Sequence, residues 1–299
     1  MIEAHSLTKR FGSATAVTDV SFACQPGTVT GFVGPNGAGK STTLRMICGL
    51  ARPDEGTALV DGVPFAELPR PMRTVGALLE ASALHPGRSG LATLKRACTL
   101  ADMPADRPQE LLRLVGLEPA AWNRRVGDYS LGMRQRLGIA QALVGDPRIL
   151  ILDEPANGLD PEGIRWMRSL LRDFADRGGT VLLSSHLLAE VQATVDRLVV
   201  IGGGRIVASG ALDELLHGTG TLVRAVDPAA LEGALRTAGV AFTRRDDGAL
   251  SVEAGVQDIG LLAARAGVAL TELRQADGGD LEDLFFTLTG GETALETAA

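Results

Sequence analysis

The sequence predicts an α/β fold: a mainly parallel sheet covered on both faces by helices, followed by a small α+β domain. Three observations predict it. Short apolar strands alternate with helical stretches through most of the chain. A glycine-rich loop, Gly34 to Ser41, lies between a buried strand and a helix. Near His217-Gly218-Thr219-Gly220 the character changes, and a second, acidic run of elements begins.

Each element has its own signal. Ile2 to Leu7 and Val17 to Ala23 alternate apolar and polar residues, as strands with one wet face do. Thr28 to Val33 is more continuously apolar and feeds the glycine loop. Lys40 to Leu50 has helical spacing and stops before Arg52-Pro53. Thr57 to Asp61 and Thr74 to Leu79 read as strands. Gly90 to Leu117 reads as helical, interrupted at Pro104 and Pro108. Four strong signals follow: a helix over Leu131 to Val144, a buried strand over Ile149 to Leu152, an amphipathic helix over Pro161 to Arg177, and a buried strand over Thr180 to Ser184. Pro161 stands in a first helical turn, where proline is tolerated. Leu198 to Ile201 is a further short buried strand.

Beyond the linker, Leu222 to Val226 is a strand and Ala229 to Ala238 a helix. Val240 to Arg244 and Leu250 to Val252 are strands, Val256 to Ala266 a helix, and Leu270 to Leu273 a strand. That βαββαβ order predicts a small ferredoxin-like α+β domain over residues 221–290. A helix over Leu281 to Thr289 and a polar tail, residues 291–299, complete the reading.

Composition narrows the function. The chain of 299 residues is long enough for a large domain of about 217 residues and a small second one. Only 4% of residues are aromatic, so aliphatic side chains must fill the core. The net charge of −7 lies wholly in residues 221–299, which hold six basic and thirteen acidic side chains. The first 220 residues are therefore balanced, which argues against a nucleic-acid-binding face. No apolar run approaches the ~18 residues of a membrane span. Met1-Ile2-Glu3 opens no basic-then-apolar leader. Cys24, Cys48 and Cys98 are scattered without metal-ligand spacing and read as reduced, small core residues.

Gly34-Pro35-Asn36-Gly37-Ala38-Gly39-Lys40-Ser41 matches Gly-x-x-x-x-Gly-Lys-Ser/Thr. Its glycines let backbone N–H groups close around phosphate oxygens, and the following helix, through Thr42, points its positive end at them. Lys40 adds a charge for the β/γ-phosphates, and Ser41 offers a hydroxyl to Mg²⁺. Ile149-Leu150-Ile151-Leu152-Asp153-Glu154 ends an apolar strand in two carboxylates. A strand end beside the loop is where the metal belongs, so Asp153 is assigned to Mg²⁺ and Glu154 to the attacking water.

Tyr129-Ser130-Leu131-Gly132-Met133 lies between these motifs, and with it the chain resembles an ABC-type ATPase subunit. The match to that family's Leu-Ser-Gly-Gly-Gln signature keeps Ser130 and Gly132 and departs at Tyr129, Leu131 and Met133. The resemblance covers residues 1 to about 217. It implies a P-loop NTPase fold: a RecA-like core with an antiparallel β subdomain and a helical subdomain. It implies ATP with Mg²⁺, and a dimer in which Ser130, its neighbouring N–H groups and the helix N-terminus meet the γ-phosphate held by the other subunit. Ser130 would equally serve as an ordinary helix cap.

Other positions carry over one at a time. Phe11, in Lys9-Arg10-Phe11-Gly12, falls where an aromatic stacks on adenine, though a strand phenylalanine packed inward reads as well. Asn157-Gly158-Leu159-Asp160 resembles the loop joining the two ATP sites, with Asp160 as its acid. His186, after Ser184-Ser185, resembles the histidine that contacts the γ-phosphate and orders the water. Glu80, in Ala77-Leu78-Leu79-Glu80, stands where the family usually has glutamine near Mg²⁺. That glutamate resembles the subset exporting peptide antibiotics and related lipophilic compounds; the alternative is a plain surface acid.

The resemblance thus implies an ATP-hydrolysing subunit that powers a separate membrane permease of the ABC-2 type, held peripherally at the cytoplasmic face of the membrane. Residues 90–128 would dock on that permease. Two rivals remain: a soluble ABC ATPase acting in translation or DNA repair, and a small-molecule P-loop kinase, which leaves the signature-like helix and His186 unexplained.

Overall fold

A computed structural model describes residues 1–80, 83–186, 188–216, 221–245, 248–252 and 254–275. The chain divides into two compact units, one within residues 1–209 and one within 210–287.

The first unit contains two sheets. β1 (Ile2–Phe11), β2 (Ala14–Cys24) and β4 (Glu55–Val60) form an antiparallel sheet in the order β2-β1-β4. The second sheet is mainly parallel. It holds β3 (Val29–Val33), β5 (Val75–Leu78), β6 (Ile149–Asp153), β7 (Thr180–Ser185), β8 (Arg197–Gly202) and β9 (Arg205–Ala211), in the order β5-β6-β7-β3-β8-β9. β3, β6 and β7 are sandwiched between layers, which is why their sequences are continuous apolar runs rather than alternating ones. Phe32, Ile149, Ile151, Leu182 and Ile201 share one core with Leu44 and Ile47 and with Ile2, Leu7 and Val17 of the antiparallel sheet.

The helices of this unit are α1 (Lys40–Ile47), α2 (Pro71–Thr74), α3 (Gly90–Leu100), α4 (Arg107–Leu114), α5 (Pro119–Trp122), α6 (Leu131–Ala142), α7 (Pro161–Asp176) and α8 (Leu188–Gln192). α1 ends earlier than its spacing predicts, because Gly49 turns left-handed at φ +69°. Two tryptophans, Trp122 of α5 and Trp166 of α7, act as ties. Trp122 Nε1 donates to the Leu117 carbonyl, and Trp166 Nε1 to that of Leu114. The Arg136 guanidinium lies 4.7 Å from the Trp166 ring centroid and donates to the Val115 carbonyl, linking α6 to α7 and to the chain after α4.

Two differences from the sequence reading have physical causes. β1 runs four residues past Leu7 because bulges, with Ser6 at φ +48°, interrupt its alternation. β9 has no counterpart in the sequence reading, since its residues alternate between exposed and half-buried and none forms an apolar run.

The second unit begins within β9 and continues through α9 (Leu212–Leu216), β10 (Thr221–Ala225), α10 (Pro228–Thr237), β11 (Phe242–Arg244), β12 (Leu250–Val252), α11 (Val256–Ala266) and β13 (Leu270–Gln275). From β10 onward the order is βαββαβ, and the sheet runs β11-β12-β10-β13 with every pair antiparallel. Val223, Leu231, Leu235, Leu250, Val252 and Ile259 give this unit a core of its own. The linker 217–220, the helix expected over Leu281 to Thr289 and the tail 291–299 lie outside the described residues.

All three cysteines are buried and free of disulfides. Burial pushes the Cys24 and Cys48 thiols up to about 12. Among the described residues no helix is long and apolar enough to cross a membrane.

Candidate functional site

Strand register gathers the site at one edge of the parallel sheet. Leu78 of β5 pairs with Leu152 of β6, Asp153 with Ser184 of β7, and Val33 of β3 with Ser185. The residues that follow, Glu80, Glu154, Gly34 and His186, therefore leave the sheet at adjacent carboxyl ends, where open α/β sheets bind ligands.

The loop 34–41 requires its glycines for space as well as for torsion. A Cβ on Gly34 would lie 2.4 Å from the Ile201 carbonyl oxygen. Gly39, at φ +102°, would place one 2.6 Å from the Ala16 carbonyl. Gly37 is different: at φ +80° it has nothing within 4 Å of such a Cβ, so bare backbone faces outward there. α1 starts on Gly39 with no side-chain cap and no acid in its first turn. Its first N–H groups are thus left for an anion. The loop fits a polyphosphate.

Lys40 is buried, and its ammonium donates inward to the carbonyls of Gly34 at 2.6 Å and Pro35 at 3.2 Å. Its Nζ is 3.9 Å from Glu154 Oε1. Burial pushes the ammonium below its ordinary range, and Glu154 and Asp153 offset part of that. A lysine folded onto its own loop is ready to exchange carbonyl oxygens for phosphate oxygens.

Asp153 and Glu154 are set by β7. The Ser184 hydroxyl donates to Asp153 Oδ1, and its Oγ accepts the Glu154 N–H at 3.0 Å. Glu154 lies in the left-handed region at φ +49°, which is costly for a residue with a side chain. That turn swings its carboxylate out of the strand direction, and Oε2 reaches His186 Nδ1 at 2.7 Å. From the other side Gln135 Nε2 donates to the Glu154 carbonyl at 3.0 Å.

The structure thus brings Lys40, Asp153, Glu154 and His186 together. Glu80 leaves β5 beside them and is exposed. Phe11 is 57% exposed, which removes the reading of it as an inward-packed strand residue. It pairs with Ala14 in a hairpin whose Ala16 carbonyl meets Gly39, and Lys9 Nζ lies 5.5 Å from the ring centroid. Ser130 and Asp160 are engaged within this chain as helix caps. Ser130 Oγ accepts the Met133 N–H at 3.2 Å, and Asp160 Oδ1 the Gly163 N–H at 2.8 Å. Gly132 packs so closely on the Gly158 carbonyl that a Cβ would come within 2.8 Å of it. The start of α6 therefore rests on the loop 157–160.

Ser184 and Gln135 were not singled out by the sequence. Ser184 ends the apolar run Thr180 to Ser184, but its role depends on a neighbouring strand. Gln135 gave one signal, a polar residue on the inner face of a helix.

Metal chemistry fits the same edge. Among the described residues no three His, Cys, Asp or Glu side chains form a cage. One hydroxyl, Ser41, with one or two carboxylates is the donor set of a Mg²⁺ that shares its remaining positions with substrate phosphates and water.

Comparisons with known proteins agree with this geometry. The family profile described as ABC transporter matches residues 17–157. A domain family of unknown function matches residues 219–282. The lantibiotic transport ATP-binding protein SrtF of Streptococcus pyogenes is 36% identical over 213 residues, 71% of this chain and 92% of the relative. The Nod factor export ATP-binding protein I of Burkholderia lata is 37% identical over 302 residues, 97% of both chains. A solved ATP-binding subunit of an ABC transporter superposes with a TM-score of 0.66 at 29% identity, over 72% of this chain and 91% of that one.

Proposed function

Because the chain belongs to the ABC transporter family of ATP-binding subunits, we propose that it hydrolyses ATP at the loop 34–41 to drive a separate membrane permease in export. One observation carries the catalytic reading: the Glu154 carboxylate is bonded to His186 and stands 3.9 Å from Lys40 at the mouth of a phosphate-shaped loop. In this reading Lys40 turns from the Gly34 carbonyl to the β/γ-phosphates. Phe11 takes the adenine face. Ser41 and Asp153, with Glu80 beside them, would hold Mg²⁺, which would supply positive charge to the phosphates. Glu154 takes the proton of the attacking water, and His186 holds that carboxylate in place and orders the water against the γ-phosphate.

Ser130 and Gly132 serve the ATP of a second copy of the chain, so two sites form in a homodimer. Within one chain Ser130 acts as a helix cap and Gly132 packs on the Gly158 carbonyl, and in this reading the helix N-terminus meets a partner's phosphate. In this reading the permease is of the ABC-2 type and holds the chain at the cytoplasmic face of the membrane; the names of the relatives, for lantibiotic transport and Nod factor export, favour an exported drug, antibiotic or similar lipophilic or peptide compound. They give no support to a role in translation or DNA repair. Residues 1–217 form the ATP-binding domain in this proposal, and residues 221–290 an accessory domain.

The test is Glu154→Gln. ATP binding is retained, turnover falls by a factor on the order of a hundred or more, and ATP traps a dimer seen by size exclusion. Turnover at the wild-type rate would remove Glu154 from the mechanism.

A further inference from the structure

Glu154 is held in its left-handed turn by bonds from three separate segments. Its N–H reaches Ser184 of β7, its carbonyl accepts from Asn157 at 3.2 Å, and the same carbonyl accepts from Gln135 of α6 at 3.0 Å. Gln135 is only 3% exposed, so its amide has no water to turn to. It is the point at which the backbone of Glu154 is tied to helix α6.

α6 has two further close contacts. At its start Gly132 rests on the Gly158 carbonyl, and Gly138 packs against the Leu78 side chain, two residues before Glu80. A Cβ on Gly132 would meet the backbone oxygen of Gly158 at 2.8 Å, and one on Gly138 would meet Leu78 Cδ1 at 2.6 Å. A helix fitted this tightly moves as a body, so a displacement of its Ser130 end is felt at Gln135, one and a half turns along.

We propose that Gln135 is a positioning residue for Glu154: through the Glu154 carbonyl it sets the aim of the carboxylate and makes that aim depend on where α6 sits. The inference rests on Glu154 being the base. It adds that the base of one ATP site is tied to the same chain's phosphate-meeting helix of the other site, so hydrolysis at one site reads the state of the other. A carboxylate displaced by about 1 Å loses on the order of a hundredfold in rate, while the phosphate cradle, formed by other residues, is unaffected.

Gln135→Met keeps the length and volume of the side chain and removes the donor. The expected result is a kcat lowered at least about tenfold with ATP affinity within about twofold, and a flattened dependence of rate on ATP concentration where the wild type is cooperative. Gln135→His, whose Nε2–H sits near the place of the lost amide, restores much of kcat. If the Met variant fails to bind ATP, Gln135→Glu, of the same shape but without the donor, is read by the same criterion. A wild-type kcat in the Met variant overturns the proposal. So does a loss shared equally by kcat and ATP affinity that His does not restore. Glu154→Gln in the same series separates the two claims. If it abolishes turnover while Gln135→Met does not, only the positioning role fails; if it leaves turnover intact, the base assignment itself fails.

Discussion

Glu154 Oε2 and His186 Nδ1 are 2.7 Å apart across 32 residues of sequence. Two features create that contact. Adjacent parallel strands end together, and Glu154 adopts φ +49°. His186→Ala removes the partner that holds the carboxylate and leaves Lys40 and the glycine loop intact. Turnover is expected to fall on the order of a hundredfold while ATP binding, followed with a fluorescent analogue, changes little. A loss of binding as large as the loss of rate would make His186 a structural residue.

Lys40 supplies a second prediction, with a sign fixed by its surroundings. In the free protein, burial lowers the affinity of its amine for a proton. Phosphate brings negative charge against the same nitrogen and raises that affinity. ATP binding is therefore accompanied by proton uptake in the alkaline range just below the ordinary lysine value, and the uptake disappears at lower pH, where the ammonium is charged in both states. Calorimetry in two buffers of different ionisation enthalpy measures it. Proton release on ATP binding in that range, or uptake unchanged in Lys40→Met, would contradict the assignment.

The glycines of the loop separate space from torsion. Gly34→Ala drives a Cβ to 2.4 Å from the Ile201 carbonyl, a backbone atom of β8, which lies between β3 and β9 in the sheet. The expected cost is about 1–3 kcal/mol, with the loop displaced. Gly37→Ala meets nothing within 4 Å and bears only the left-handed torsion, about 1–2 kcal/mol. Thermal melting without nucleotide should therefore fall further for Gly34→Ala, and ATP affinity should fall in both. Equal melting points would mean that β8 gives way.

Legibility in the sequence followed the range of the interaction. The strand, loop and helix around Gly34 to Ser41 are contiguous, so their order is visible in one line of residues. β3, β6 and β7 were legible because burial on both faces leaves an uninterrupted apolar string. β9 was not, because Arg205, Val207 and Ser209 lie on an exposed side and dilute its pattern. Gln135 was not, because its partner is a main-chain carbonyl 19 residues away that carries no side-chain signature. Ser184 had the right place and no visible task until β6 was laid beside it.

The second unit has its own core, and that predicts its own response to mutation. Leu231 and Leu235 of α10 are buried against Val223, Leu250 and Ile259. Leu231→Ala leaves a cavity costing about 2–5 kcal/mol. In calorimetry the expected result is a lowered transition assignable to residues 210–287, with the ATP-induced stabilisation of residues 1–209 retained. Loss of that stabilisation would show that the two units unfold as one.

Ser184 makes the last prediction, since one oxygen serves both carboxylate residues. Its hydroxyl hydrogen goes to Asp153 Oδ1 and its lone pair takes the Glu154 N–H. Ser184 is fully buried, so in Ser184→Ala that N–H has no solvent to replace the lost oxygen. An orphaned donor of this kind costs about 1–3 kcal/mol. The chemical consequence is split. Asp153, freed from its donor, loses its fixed orientation toward the metal, so the Mg²⁺ concentration for half-maximal turnover should rise severalfold. Glu154 keeps His186 and Gln135 but loses an anchor on the opposite side, so kcat at saturating Mg²⁺ should also fall, by less than in His186→Ala. Ser184→Thr returns an oxygen to the same place and should recover the Mg²⁺ dependence first. A Ser184→Ala protein with unchanged Mg²⁺ dependence would place the metal on Ser41 and Glu80 without Asp153.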